Sequence, residues 1–596
     1  MSLPGARALY IGSMLATFQA SDAPRPASAV LICPPFGNIE VCSYRPRRDW
    51  SRALAQDGHP TLRIDLPGTG DSDGGPGDPA RLAAWVDGVT SAASWLHETS
   101  GCERVCALGI GLGGLVAYRA AAEGAELADL VLWAVPARGR TLVRELRALS
   151  GLEASASETR EVGGQSLPEG FLASAGFVLS AETIAELEAL DLTELTLPAE
   201  TRRRILLLGR DGIPADARLR GALEVAAVTL EVAPGEGYGA MVSDPQRAQP
   251  PREVFARVSS WLADGDRADT DAPTPGGGEP PVSGAEHMDL TVDGVAVRET
   301  PQTFEQSFGQ LFGVLSAPRD RPESPAQECV VLLNAGAQRR IGPNRMWVEM
   351  ARRWAARGTP TLRVDLAGIG DGDSDGTELV EDAGFYDVAF VDQVRAVLDD
   401  LVARGLPARF VLAGLCSGAY WSLHAALVDP RVVGAFMVNP KALFWDPRLD
   451  GVREARNLRK VQDPATWAKL LRGDITAQRV RTIGSGVGVA IGGLPARLSD
   501  RRRRRTGVQD DLARALEHLR NSGQQLLVAF TSQEPLLREL EADGRLQRLR
   551  EAANVRVELV PIPLESHTLE PIPLQRAVHR VVDEALQRLT RSGRVA

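Results

Sequence analysis

The sequence predicts two tandem α/β domains, each a mostly parallel sheet flanked by helices, and three observations carry this. The first is a repeat. PTLRIDLPGTGDSDG at 60–74 returns as PTLRVDLAGIGDGDSDG at 360–376, so Asp65, Gly68, Gly70 and Asp71 match Asp365, Gly368, Gly370 and Asp371 at an offset of 300. Self-similarity at a fixed spacing marks a duplicated unit. The second is the alternation of apolar runs of five to eight residues with helical patterns of ten or more, the mark of strands buried on both faces of a parallel sheet. The third is ADGDRADTDAPTPGGGEPPVSGAEH at 263–287, dense in Pro, Gly and Asp without an apolar period, which reads as a flexible tether. The expected division is a first domain at 1–264, a linker at 265–287 and a second domain at 288–596.

The elements recur in the same order in both halves. ASAVLICPPFG pairs with ECVVLLNAGA as a strand and the loop after it. A helix follows (WSRALAQDG against MWVEMARRWAARG), and then the shared strand and glycine turn. A further helix precedes RVCALGIGLGG and ARFVLAGLCSG, another follows, and the strands ADLVLWAVP and VVGAFMVNP come next. LLLGRDGIP and QQLLVAFTS, then TLEVAPGEGYGAMVSDP and VRVELVPIP, complete the two sheets.

Composition excludes several classes. With 44% hydrophobic and 24% charged residues the chain is globular, and a net charge of −10 with a pI near 5.5 argues against a nucleic-acid partner. The N-terminus lacks a charged leader followed by an apolar run, and no stretch approaches the roughly 18 apolar residues of a membrane span, so a cytoplasmic location is expected. Six scattered cysteines support neither a disulfide framework nor a structural zinc, and no metal or cofactor is expected.

The glycine-rich GIGLGG at 109–114 invites a dinucleotide reading, but that fingerprint belongs after the first strand of its unit and needs an acid at the tip of the next. Here the next strand ends in Ala134, Val135 and Pro136. The repeat supplies another reading. The equivalent stretch of the second half is Gly414-Leu415-Cys416-Ser417-Gly418, a Gly-x-nucleophile-x-Gly turn from strand to helix. At this point the chain resembles the α/β-hydrolase superfamily over nearly all of both halves. Through PPFG, DLPGTGDSDG and NAGAQRRIGPNRMW it is similar to the serine-aminopeptidase-like and exosortase-associated bacterial hydrolases. A cysteine at the elbow resembles the dienelactone hydrolases, and a helix N-terminus favours the thiolate.

The resemblance implies an acid and then a histidine following in chain order. His567, in the loop after VRVELVPIP, is the candidate base. For the acid, Glu534 after QQLLVAFTS is favoured, with Asp446 after the preceding strand and Glu565 beside the histidine as rivals. The oxyanion hole would use the backbone N–H groups of Ser417 and of Ala335 or Gly336. The resemblance also implies a cap over the pocket at about 441–522, a stretch that includes Arg501–Arg505, either a contact for a phosphate or acidic carrier or a solvated loop.

In the first half Gly111 stands at the nucleophile position and the closing segment has no histidine, although Asp211 remains in its acid loop. With this degenerate elbow, the first half is expected to be a copy that packs against the second, shapes its entrance, or binds a carrier or product, with Cys42 as an outlying candidate thiol. The expected activity is hydrolysis of ester, thioester or lactone acyl groups through an acyl-thioenzyme, on a small-molecule substrate that is free, carrier-linked or CoA-linked. An acyltransferase or carrier-linked thioesterase of a biosynthetic pathway and a non-catalytic scaffold are the alternatives, and the oligomeric state is left open.

Overall fold

The computed structural model describes residues 5–22, 28–156, 167–198, 203–268, 284–320, 326–374, 379, 381–445, 511–532, 534–560 and 566–593. Two α/β-hydrolase-like sheets stand in sequence, as the repeat predicts. The first contains β1 (Arg7–Ile11), β2 (Met14–Gln19), β3 (Ser28–Cys33), β4 (Thr61–Ile64), β5 (Arg104–Ile110) and β6 (Asp129–Trp133). After a separate small hairpin, β7 (Leu172–Ser174) and β8 (Phe177–Leu179), it is completed by β9 (Arg204–Leu208) and β10 (Thr229–Ala233). Its spatial order is β1-β2-β4-β3-β5-β6-β9-β10, antiparallel at β1, β2 and β4 and parallel beyond.

The second sheet contains β11 (Met288–Val292), β12 (Val295–Gln306), β13 (Gly309–Pro318), β14 (Cys329–Leu332) and β15 (Thr361–Asp365). It continues through β16 (Phe410–Leu415), β17 (Val432–Val438), β18 (Gln525–Phe530) and β19 (Val555–Leu559), in the order β11-β12-β13-β15-β14-β16-β17-β18-β19. The central strands are rich in apolar residues because helices cover both faces, with Arg63 of β4 and Arg363 of β15 as charged exceptions. Leu31 and Cys33 of β3 enter one core cluster while Val30 and Ile32 enter another, as a two-residue period requires.

The structure adds to the expected layout in three places. The leading antiparallel strands β1–β2 and β11–β13 have no counterpart in the sequence reading. The helix Arg252–Ala268 continues four residues into the stretch expected as linker, and at its far end Ala285 pairs with Tyr10 of β1 through bonds of 2.8 and 2.9 Å. The first half also has a covering excursion between β6 and β9, built from helix Gly139–Ala156, the β7–β8 hairpin and helix Ala181–Ala189. Residues 446–510, most of the expected cap and including Arg501–Arg505, lie outside the described residues. Among the described residues, no helix is long and apolar enough to cross a membrane.

The halves meet through buried charges that cross between them. Arg63 of β4 pairs with Asp371 at 2.7 Å, and its repeat equivalent Arg363 of β15 pairs with Asp71 at 3.1 Å. Arg340 joins Asp71 at 2.9 Å and Asp365 at 2.7 Å, while Arg339 reaches Asp65 and Glu40. Each glycine turn is also gripped from the opposite half. Arg48 donates to the carbonyls of Gly370 and Gly372, and Arg345 donates to those of Gly70, Ser72 and Gly74. Isolated charges at such depth would cost many kcal/mol, so the mutual pairing is what allows them to be there. Tyr10, Leu15, Met288, Leu290, Val297 and Ala355 form an apolar cluster beside this network.

Candidate active site

Cys416 is the hinge between β16 and helix Ser417–Val428, and its backbone takes the strained values φ 58° and ψ −112°. A Cβ added to Gly414 would lie 2.2 Å from the backbone of Gly418, and one added to Gly418 would lie 2.3 Å from the carbonyl of Asn334. Both flanking glycines are therefore needed for the strand, turn and helix to close on one another. Of the six cysteines only Cys416 is partly exposed. Burial pushes the thiols of Cys33, Cys42 and Cys329 up to about 12, so Cys42 does not fit the part of a reactive thiol.

His567 lies between the elbow and an acid. Its Nδ1 is 3.0 Å from Oε2 of Glu534, and Cys416 is close enough to act on the charge of the ring. The imidazole is 38% exposed and Glu534 is buried. Burial lowers the basicity of the ring, but the hydrogen bonds to Cys416 and Glu534 outweigh it and push His567 up to about 10. The other two acids expected as alternatives, Asp446 and Glu565, lie outside the described residues.

Two residues that sequence reasoning missed hold Glu534 and His567. Asn439 follows the last residue of β17 and is fully buried with φ 42°. Its Oδ1 accepts the N–H of Thr531 at 2.8 Å, and its Nδ2 donates to the Thr531 hydroxyl at 3.0 Å and to the carbonyl of His567 at 3.3 Å. The Thr531 hydroxyl in turn donates to Oε1 of Glu534 at 3.4 Å. One amide thus joins the ends of β17 and β18 to the histidine loop. The available signal was a difference between the repeats, since Ala134 stands at the same place after β6 with φ 54°.

Of the oxyanion candidates, Gly336 directs its N–H to the hydroxyl of Ser417 at 3.1 Å, while Ala335 is bridged to Gln338 in the adjoining turn. Gly336 has φ 56° with open space above its Cα. Ser417 opens its helix, so its own N–H has no partner within the helix. The loop that carries Gly336 continues to Arg339 and Arg340, which fix it in the inter-half charge network.

The first half repeats the elbow geometry with no side chain at its hinge. Gly111 has φ 53° and ψ −114°, within a few degrees of Cys416, and an added Cβ would meet nothing within 4 Å. Asp211 has no imidazole to hold. Its carboxylate instead accepts the N–H groups of Gly237, Tyr238 and Gly239 at 2.6, 3.0 and 2.5 Å, so it serves as a brace for the closing loop. His59 is bonded to Ser28 at the start of β3, the opposite edge of the sheet, and His97 lies in helix Arg81–Ser100.

A family model described as the Alpha/beta hydrolase family matches the chain twice, at residues 30–257 and 330–584. No curated protein matches the sequence. Among solved structures, Est1E from Butyrivibrio proteoclasticus is 14% identical with a TM-score of 0.31, over 45% of this chain and 100% of its own. XC6422 from Xanthomonas campestris, described as an α/β serine hydrolase without a lid, is 15% identical with a TM-score of 0.29, over 46% and 98%. A proline iminopeptidase from Mycobacterium smegmatis is 16% identical with a TM-score of 0.29, over 44% and 99%.

Proposed function

The chain belongs to the Alpha/beta hydrolase family, and from that premise we propose that its second half is an esterase-type enzyme that hydrolyses ester, thioester or lactone acyl groups through Cys416, His567 and Glu534. The observation that carries the reading is the position of His567, 3.0 Å from Glu534 and within electrostatic reach of Cys416 at the elbow.

His567, raised to about 10, already holds the proton given up by the thiol as Sγ attacks the acyl carbon, and the carbonyl oxygen becomes an oxyanion facing the N–H groups of Ser417 and Gly336. Gly336 is bonded to the Ser417 hydroxyl at rest, so that hydroxyl must rotate or share the donor when the oxyanion forms. The tetrahedral species collapses, the bond from the acyl carbon to the leaving group breaks, and the leaving group takes the proton from His567. Water then attacks the acyl-thioenzyme and gives its proton to His567, which returns it to Sγ as the acid product leaves. The raised basicity of His567 depends on the free sulfur. Acylation removes that partner while burial remains, so the ring becomes less basic when it must accept a proton from water.

A thioester intermediate is also competent for transfer to an alcohol, an amine or a carrier thiol, and this is the second reading. The test is intact-mass measurement after incubation with an activated ester. A stoichiometric adduct absent from Cys416→Ala is expected. No adduct with any acyl donor, together with ligand binding that the substitution leaves unchanged, would favour a scaffold. Products formed in the presence of alcohols or amines then separate hydrolysis from transfer, which must exceed water's share.

A further inference from the structure

We infer that Asn344 is a positioning residue through which the first half holds the histidine loop of the second in its working geometry. The inference rests on the triad reading above. Asn344 and Arg345 are consecutive non-glycine residues with left-handed backbones, φ 52° and 69°. Two such residues in a row persist only where their surroundings dictate it, and here the two side chains point to different halves. The guanidinium of Arg345 is buried and donates to three carbonyls of the first half's glycine turn, Gly70 at 2.8 Å, Ser72 at 2.6 Å and Gly74 at 2.8 Å. The amide of Asn344 turns the other way and donates to the carbonyls of Leu569 at 3.1 Å and Thr568 at 3.4 Å, the two residues directly after His567.

The loop it holds is itself strained. Leu569 is a fully buried leucine with φ 59°, and its carbonyl is one of those that Asn344 binds. On the opposite side, the tip of the β7–β8 hairpin abuts the amide, and a Cβ added to Gly176 would lie 2.3 Å from Cγ of Asn344. The cavity left at this contact is only about 40 Å³, and Gly70 and Phe177 of the first half line it together with Asn344 and Ile572 of the second. A displacement of the hairpin therefore has little empty space to be absorbed in and bears on Asn344. The half that lacks a nucleophile and a base thus contributes a strut to the half that has both.

Two substitutions in the full-length chain test this. Asn344→Gly deletes the amide while accepting the left-handed backbone, and Gly176→Ala adds one methyl group in the other half, out of contact with Cys416, His567 or Glu534. The readouts are the alkylation rate of Cys416 with iodoacetamide and the ring titration of His567 by NMR, with the thermal midpoint followed separately. Both variants are expected to alkylate more slowly by on the order of tenfold. Both are also expected to shift the His567 titration down from about 10 as its contacts loosen. Wild-type values of rate and titration in both variants would overturn the inference. His567→Asn is the control for the premise: a rate equal to wild type there overturns the triad and this inference with it, whereas a slow His567→Asn beside wild-type behaviour in the other two overturns the strut alone.

Discussion

Cys416 and Gly111 occupy almost the same backbone conformation, yet one carries a thiol beside an imidazole and the other carries nothing. Cys416→Ala is expected to lower kcat/KM by at least about a thousandfold, measured with any ester the wild type turns over. Gly111→Cys should fold, at a cost of about 1–2 kcal/mol for a side chain in the left-handed region, since its Cβ meets nothing. It should still give one acyl adduct per chain rather than two, because no base stands beside it. Glu534→Gln should lower kcat by about a hundredfold or more and shift the His567 titration down from about 10, because a neutral amide no longer favours the imidazolium. As a raised value, that of His567 also stabilises the fold below about 6.5, and this contribution fades as pH rises from there to about 10. As candidates, Cys416 and His567 were legible because an elbow has fixed spacing and histidines are scarce. Asn439 and Thr531 were not, because a buried amide and a hydroxyl that hold other groups have no spacing of their own.

At the level of elements, the parallel strands were legible as apolar runs and the antiparallel edges were overlooked. The signal existed in TVDGVAV, where Asp293 and Gly294 take φ 49° and 80° between β11 and β12. Two consecutive left-handed residues suit the tightest hairpin turn, and Asp-Gly is a preferred pair for it. The strand ends matter more for the chemistry, since β17, β18 and the histidine loop converge on Asn439. Asn439→Ala should fold, as Ala134 does at the matching position. It should cost about 1–3 kcal/mol in urea unfolding, because the buried N–H of Thr531 and carbonyl of His567 lose their partner. Its kcat should fall more than that stability loss accounts for, with KM little changed.

Across the whole molecule, the repeat announced two domains but not how they meet. A charge in the middle of an apolar strand, Arg63 in TLRID and Arg363 in TLRVD, was the available clue, and it was hidden because a lone strand gives no sign of its partner. Removing one partner should be costly. Arg363→Met leaves Asp71 with Arg340 and Glu299 with Arg352, and a loss of about 3–5 kcal/mol in unfolding free energy is expected. Acid should act on the same face. Despite burial, arginine neighbours hold Asp65 below the usual carboxylate range and Asp371 and Glu299 well below it. Their stabilisation is present above about pH 4 and is lost as pH falls through the depressed values. Urea midpoints measured from pH 7 down to pH 3 should decline, and less steeply in Asp371→Asn.

The crossed pairs Arg63–Asp371 and Arg363–Asp71 have the self-complementary form of a two-fold dimer interface, but both copies of the patch belong to one chain. Their association is therefore unimolecular, driven by the effective concentration that a covalent connection sets. Dilution cannot separate the two halves, and neither is ever synthesised without its counterpart. Activity per molecule should accordingly be as high at nanomolar as at micromolar protein.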